Sequence, residues 1–212
     1  MKTDRLADPE TEFFKGLIEL QYGKSVEEKL KRLSRKVEWA EGWPENKKSF
    51  WNAEAFMWSR KIDSNKKELI YSELKDLSGR NLDLGCGAYS YLPSVGVDIS
   101  EKMLLFNEDC SEKITADLEK DLPFEDNSFD SATAVFLFNY IENYQHLLLE
   151  VKRALNKKGN FVMVLYSGKV NGWQRQKEVN TFDAARWVDI LKNYFSVYFY
   201  EKEGLWFFRC KV

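Results

Sequence analysis

The chain of 212 residues is poor in the side chains that build metal centres and disulfide frameworks. It has one histidine, His146, and three cysteines, Cys86, Cys110 and Cys210. Neither set has the spacing of a zinc site or of a stapled secreted domain, so no metal is expected and a reducing cytoplasm is the natural setting. No uncharged run approaches the roughly 20 residues that a membrane-spanning helix requires. The opening residues, MKTDRLADPETEFFKG, lack the apolar stretch of an export signal. Neither sign of charge dominates: 32 basic residues against 34 acidic ones leave a net charge of -2. That balance excludes a global field pulling the protein towards nucleic acid or an anionic membrane. Repeats and low-complexity segments are absent too.

What is present is apolar material, 44% of the residues, enough for one core with extra helices around it. Residues 1–78 read as helices. Over 25–40, Val26, Leu30, Leu33 and Val37 recur at helical spacing, and Ser25 with Glu28 forms a capping box. Helices over 47–60 and 65–77 follow. The first helix carries Lys29, Lys31, Arg32, Arg35 and Lys36, which is either a solvated face or a basic surface.

From residue 80 the pattern changes to short apolar runs alternating with helical ones, the mark of βα units around a parallel sheet. Strands are expected at 81–84, 95–99, 113–116, 131–136 and 160–166, with helices at 145–155 and 181–193. Lys157-Lys158-Gly159 reads as the stop of the first of these helices. Two aromatic-rich runs, 195–201 and 205–210, flank a turn at Lys202-Glu203-Gly204 and predict a β-hairpin. The expected organisation is a helical extension or lid, 1–78, packed on an α/β core, 79–212.

The most informative stretch is NLDLGCGAYSYLPSVGVDIS, residues 81–100. A strand running into Gly85-Cys86-Gly87 can turn sharply and bring bare backbone close to a ligand. The next strand ends in Asp98, whose carboxylate can accept from both hydroxyls of a ribose. Together and in this order they point to a nucleoside site. A dinucleotide fingerprint would want a third small residue where this chain has Ser90, and a full helix aimed at a pyrophosphate. Only about ten residues separate the loop from Asp98, which suits a nucleoside without pyrophosphate, such as S-adenosylmethionine.

The run from Leu82 to Ser167 resembles the core of the class I S-adenosylmethionine-dependent methyltransferases, type 11 group. DLGCG followed by VGVDISEKML is similar to the family's first two motifs. ADLEKDLPFEDNSFD, residues 116–130, is similar to its third region, and ALNKKGNFVMV, residues 154–164, stands where RVLKPGG is usual. The resemblance implies a Rossmann-like, mostly parallel seven-stranded sheet with an antiparallel C-terminal hairpin strand and helices on both faces. It implies an enzyme that takes S-adenosylmethionine and releases S-adenosylhomocysteine. Carried over by position, Gly85, Cys86 and Gly87 border the methionine part of the cofactor and Asp83 braces their loop. Asp98 holds the ribose, with Ile99 and Met103 near the adenine. Asp117 accepts from the adenine amino group, Leu118 offers its backbone, and Val135 and Phe136 lie beside the sulfonium. The family's third glycine is replaced by Tyr89, which is expected over the mouth of the cofactor pocket.

The acceptor is not named by these residues. A small molecule is the first expectation, with Trp51, Tyr140 and Tyr166 as its wall and Asn139 and Tyr140 as candidates for catalysis or simply for structure. Trp51, Asn52, Phe56 and Trp58 either form a lid or pack the extra helices, and Trp173 and Arg175 would face them. Two alternatives remain. Tyr91-Leu92-Pro93 in the short loop is similar to tRNA wobble-uridine methyltransferases, which would make RNA the acceptor. Tyr89 crowding the pocket would instead suit a non-catalytic cofactor-binding subunit.

Overall fold

The computed structural model describes residues 8–168 and 175–212, apart from the side chains of 59–61. Its centre is a seven-stranded sheet in the order β3-β2-β1-β4-β5-β7-β6. The strands are β1 (Asn81–Leu84), β2 (Ser94–Asp98), β3 (Cys110–Thr115), β4 (Phe129–Val135), β5 (Leu155–Tyr166), β6 (Ser196–Lys202) and β7 (Leu205–Lys211). Strands β1 to β5 run parallel, and β7 is antiparallel to both β5 and β6. The order reverses beside β1, which places the carboxyl ends of β1 and β2 next to the crevice where open α/β sheets bind ligands. The two hairpin residues Glu203 and Gly204 have φ of 49° and 77°, the pair of positive values a tight two-residue turn requires.

Alternation along β5 and β7 builds two cores. Phe161, Met163, Leu165, Phe208 and Cys210 face one side. There they pack against α6 (Tyr144–Ala154) and α7 (Ala184–Lys192) through Leu147, Val151 and the fully buried Trp187. Val162, Val164, Leu205 and Phe207 face the other side, against Leu69, Ile70 and Leu74 of α4 (Ser64–Leu74). With helices on both faces, the parallel strands can be apolar throughout. No helix among the described residues is long and apolar enough to cross a membrane.

The helices α1 (Pro9–Gln21), α2 (Glu27–Ser34) and α3 (Lys47–Lys61) gather a third cluster around Phe13, Leu30, Val37 and Trp43. The single helix expected over 25–40 is instead α2 followed by a 3₁₀ turn, Glu38–Ala40, and the residue before α2 is Val26, without a side-chain cap. Val37 and Trp39 both pack into this cluster, whereas residues two apart on one α-helix point to opposite sides. The chain therefore leaves the helix at Ser34. Lys29 pairs with Glu12 and Lys31 with Glu45, so the basic surface of α2 is partly neutralised.

Gly159 does not stop α6, which ends in extended backbone at Leu155. The register jumps from Phe129↔Leu155 to Ser131↔Asn160, so the polar run 156–159 bulges out at the start of β5 instead. The helix α5 (Glu101–Phe106), capped by Ser100, had no counterpart in the periodicity because it spans only two turns. It receives α3: Asn52 donates from Nδ2 to the Trp39 carbonyl at 3.0 Å, and its Oδ1 accepts from Ser100 Oγ at 2.8 Å.

The loop between β3 and β4 is held to α6 by one cation. Arg153 donates to the carbonyls of Phe124 (2.7 Å) and Leu122 (3.1 Å), to Asp126, and through two nitrogens to Glu150. Glu150 in turn accepts from the Leu122 N–H at 2.8 Å. Arg153→Met would leave Glu150 without its cation and two loop carbonyls without their donor. Because Arg153 is partly solvated, the expected cost is about 2 kcal/mol. Thermal denaturation should show this as a Tm roughly 5 °C lower.

Candidate active site

The glycine turn and the end of β2 meet directly. Gly85 and Gly87 both have φ of 58°, a conformation that costs a residue with a β-carbon and costs glycine nothing. Space forbids a side chain there as well: a β-carbon on Gly85 would lie 2.5 Å from Leu137 Cδ1, and one on Gly87 would lie 2.8 Å from Trp58 Nε1. The Gly87 N–H donates to Asp98 Oδ2 at 3.0 Å, and the Ser100 N–H donates to Oδ1 at 2.8 Å. Burial pushes the Asp98 carboxyl up to about 6, against these two backbone donors and that of Ile99.

Behind the turn lies a second polar network. Asp83 accepts from Ser90 Oγ at 2.6 Å and from Thr133 Oγ1 at 2.9 Å. Asn107 Nδ2 donates both to Ser90 Oγ and to the Gly87 carbonyl, each at 3.0 Å. Asp83 thus reaches the glycine turn through Ser90 and Asn107. Among the described residues no cation faces it, and burial pushes its carboxyl up to about 7 despite the two hydroxyl donors.

Nine of the expected cofactor residues line one cleft of about 590 Å³, its open mouth included: Gly85, Gly87, Asp98, Ile99, Met103, Asp117, Leu118, Val135 and Phe136. Trp51 and Tyr140 line it too. Asp83, Cys86 and Tyr89 line a smaller recess, together with Tyr91, that shares Trp58, Gly85, Val135 and Phe136 with the cleft. Tyr89 thus lines this adjoining recess and not the cleft itself. Its ring meets Tyr91 edge-on at 5.1 Å and lies under the Lys67 ammonium, while Trp58 stands over Gly87.

Two other expected residues do not line the cleft. Tyr166 lines neither cavity; its ring packs in the core beside α4, under Lys66 Nζ at 4.8 Å. Asn139 is tied down, donating from Nδ2 to Glu178 and accepting at its carbonyl from the N–H groups of Val179 and Asn180. Trp173 lies outside the described residues, and Arg175 is exposed. The aromatic residues of α3 divide: Phe56 packs against Phe14, Trp39 and Phe106, whereas Trp51 and Trp58 face the cleft.

Lys47, Glu119, Leu137 and Ile141 also line the cleft and were not legible in the sequence. Lys47 Nζ donates to Glu119 Oε1 at 2.7 Å, and Glu119 accepts from the N–H groups of Glu142 and Asn143. Burial raises the Glu119 carboxyl, but these three donors outweigh it and hold the group below its ordinary value. The partners are 72 residues apart, so no local pattern could have announced the pair. Trp51 meets Trp58 edge-on at 5.9 Å and Tyr140 at 5.0 Å. Burial raises the Tyr140 phenol far above its usual range, which leaves it a donor and makes it a poor base.

The cleft suits a nucleoside. The Asp98 carboxylate accepts on both oxygens and has acceptor capacity beyond its backbone partners. Ile99, Met103 and Leu118 line the same cleft as Asp98 and Asp117. Residues 82–163 match the family model of the methyltransferase domain, type 11. Residues 82–163 are thus a methyltransferase domain of the type 11 group, and the fold around them is that of the class I S-adenosylmethionine-dependent methyltransferases. S-adenosylmethionine is the cofactor that this domain implies. Among solved structures, one similar fold is the S-adenosylmethionine-dependent methyltransferase of Mesorhizobium loti (19% identity, TM-score 0.56, covering 68% of this chain and 96% of that one). Another is the Haloferax volcanii structure of a complex with the Trm112 methyltransferase activator (16% identity, TM-score 0.56, 76% of this chain and 96% of that one). An uncharacterized protein of Methanocaldococcus jannaschii is 28% identical over 148 residues, 60% of this chain and 72% of the relative.

The buried acids set a pH dependence. The folded Asp83 carboxyl lies at about 7 against an unfolded 3.8, so its contribution to stability is complete below the unfolded value and is lost as pH rises through the folded one. Asp98, raised in the same direction, adds to this loss in wild type and variant alike. Asp83→Asn removes one titration and keeps the volume. Between about pH 4 and pH 8 the wild type should lose roughly 3 kcal/mol more stability than the variant in urea titrations.

Proposed function

We propose that the cleft binds S-adenosylmethionine with its ribose on Asp98 and its adenine between Ile99, Met103 and Leu118, Asp117 reading the amino group. The glycine turn then carries the methionine part, with Val135 and Phe136 beside the reacting centre. The single observation that carries this reading is the bond from the Gly87 N–H to the Asp98 carboxylate at the floor of an aromatic-walled cleft. The cofactor supplies a methyl group on a sulfonium, which a nucleophile takes by direct displacement. The protein's part is then alignment and exclusion of water. Tyr140, kept protonated by burial, orients an acceptor by donating to it.

The acceptor in this reading is a small molecule with a flat or apolar body, received by Trp51, Trp58 and Tyr140. The helical extension, residues 1–78, serves as the roof: α3 carries two of these rings, and the Lys47–Glu119 pair fastens its start to the rim. RNA fits less well, since Lys29 and Lys31 of the basic helix are engaged by Glu12 and Glu45.

Calorimetry with S-adenosylmethionine and S-adenosylhomocysteine tests the cofactor site. Both should bind, and Asp98→Ala should weaken both by about a hundredfold, the value of two hydrogen bonds to a charged acceptor. An unchanged far-UV spectrum would show the variant folded. Unaltered affinity in that folded variant would refute the ribose assignment. Transfer of labelled methyl groups to a metabolite extract, before and after ribonuclease treatment, separates a small acceptor from RNA. A protein that binds both ligands tightly and labels neither pool would be the non-catalytic subunit.

A further inference from the structure

Gly96, in the middle of β2, has no side chain, and the space it leaves is filled by two sulfur atoms from different parts of the chain. A β-carbon built on Gly96 would lie 2.8 Å from Cys86 Sγ and closer still to Cys110 Sγ. Both sulfurs therefore border the same gap beside Gly96. Cys86 is the middle residue of the glycine turn and is buried; Cys110 opens β3, the edge strand, and is half-buried. Ser90 Oγ lies 3.2 Å from Cys110 Sγ, so Cys110 touches the same hydroxyl that braces Asp83.

We propose that Cys86 and Cys110 are a redox modification site, joined into a disulfide by hydroperoxides, and that the cross-link distorts the glycine turn so that the cleft loses its cofactor. The effect on the cofactor rests on the reading of the cleft given above; the cross-link does not. The sulfur on the edge strand reacts first. The Cys110 thiolate attacks the peroxide, an S–O bond forms, the O–O bond breaks and one alcohol or water leaves. The Cys86 thiol then attacks that sulfur, an S–S bond forms, and the hydroxyl departs as water with the Cys86 proton. Two thiols are oxidised by two electrons and one peroxide is reduced. Hydrogen bonding to Cys86, and to Ser90 and Ser94, holds the Cys110 thiol below its ordinary value, in keeping with its role as the attacking group.

A disulfide needs its sulfurs about 2.05 Å apart with a fixed dihedral. Closing that gap draws Cys86 towards β3, against the flanking Gly85 and Gly87 and against the Gly87–Asp98 bond. It also takes Cys110 Sγ from Ser90.

The test uses the full chain, reduced and then treated with hydrogen peroxide. Peptide mapping should find Cys86 joined to Cys110, and the affinity for S-adenosylmethionine should fall at least about tenfold and recover with dithiothreitol. Cys110→Ser, close in size and still able to bond Ser90, should keep the reduced affinity and ignore peroxide. A joined peptide with unchanged affinity, a pairing with Cys210, or no joined peptide overturns the proposal. Failure of the reduced protein to bind S-adenosylmethionine overturns instead the reading of the cleft, while the peptide map still decides the cross-link.

Discussion

The carboxylate of Asp98 is the joint on which the site depends. It accepts the N–H of Gly87 from the turn after β1 and the N–H of Ser100 from the start of α5. Two neighbouring strand ends and the following helix are thereby fixed to one buried group. A turn that leaves β1 through two residues at positive φ has few ways to hold its shape, because glycine offers no side chain to pack. Asp98 supplies the missing constraint through the backbone, and it lines the cleft as well.

This arrangement carries a cost in charge. Asp83 and Asp98 are both buried, with no cation beside either among the described residues, and burial raises both above their ordinary values. They are supported by hydroxyls and backbone N–H groups, which stabilise a carboxylate less than an ion pair would but keep its surroundings dipolar and fixed. Salt bridges are placed elsewhere: Arg153 on Glu150 behind the loop that bears Asp117, and Lys47 on Glu119 at the rim. The charged pairs therefore hold the frame of the cleft, while neutral donors hold its floor.

The N-terminal helices are fastened to the core beside the cleft, and Asn52 shows how. Its amide joins the carbonyl of Trp39 to the hydroxyl of Ser100, the residue that caps α5. The side of α3 that carries Phe56 is committed to packing and the side that carries Trp51 and Trp58 to the cleft. Cleft lining and packing surface thus come from two sides of one helix.

What the sequence determined by itself is the part encoded locally. The alternation of β1, the glycine turn, Asp98 at the end of β2 and the two-residue hairpin each lie within a few positions, where backbone sterics and periodicity decide the outcome. The tertiary structure decided what depends on partners distant in the chain. It broke the helix over 25–40 so that Val37 and Trp39 could share a cluster, and it placed Tyr89 in a recess adjoining the cleft and Tyr166 beside α4. It also brought Lys47 to Glu119 across the molecule and set Cys86 beside Cys110 over a glycine. A side chain's direction follows from what packs against it, and packing between remote segments leaves no periodic trace in the order of residues.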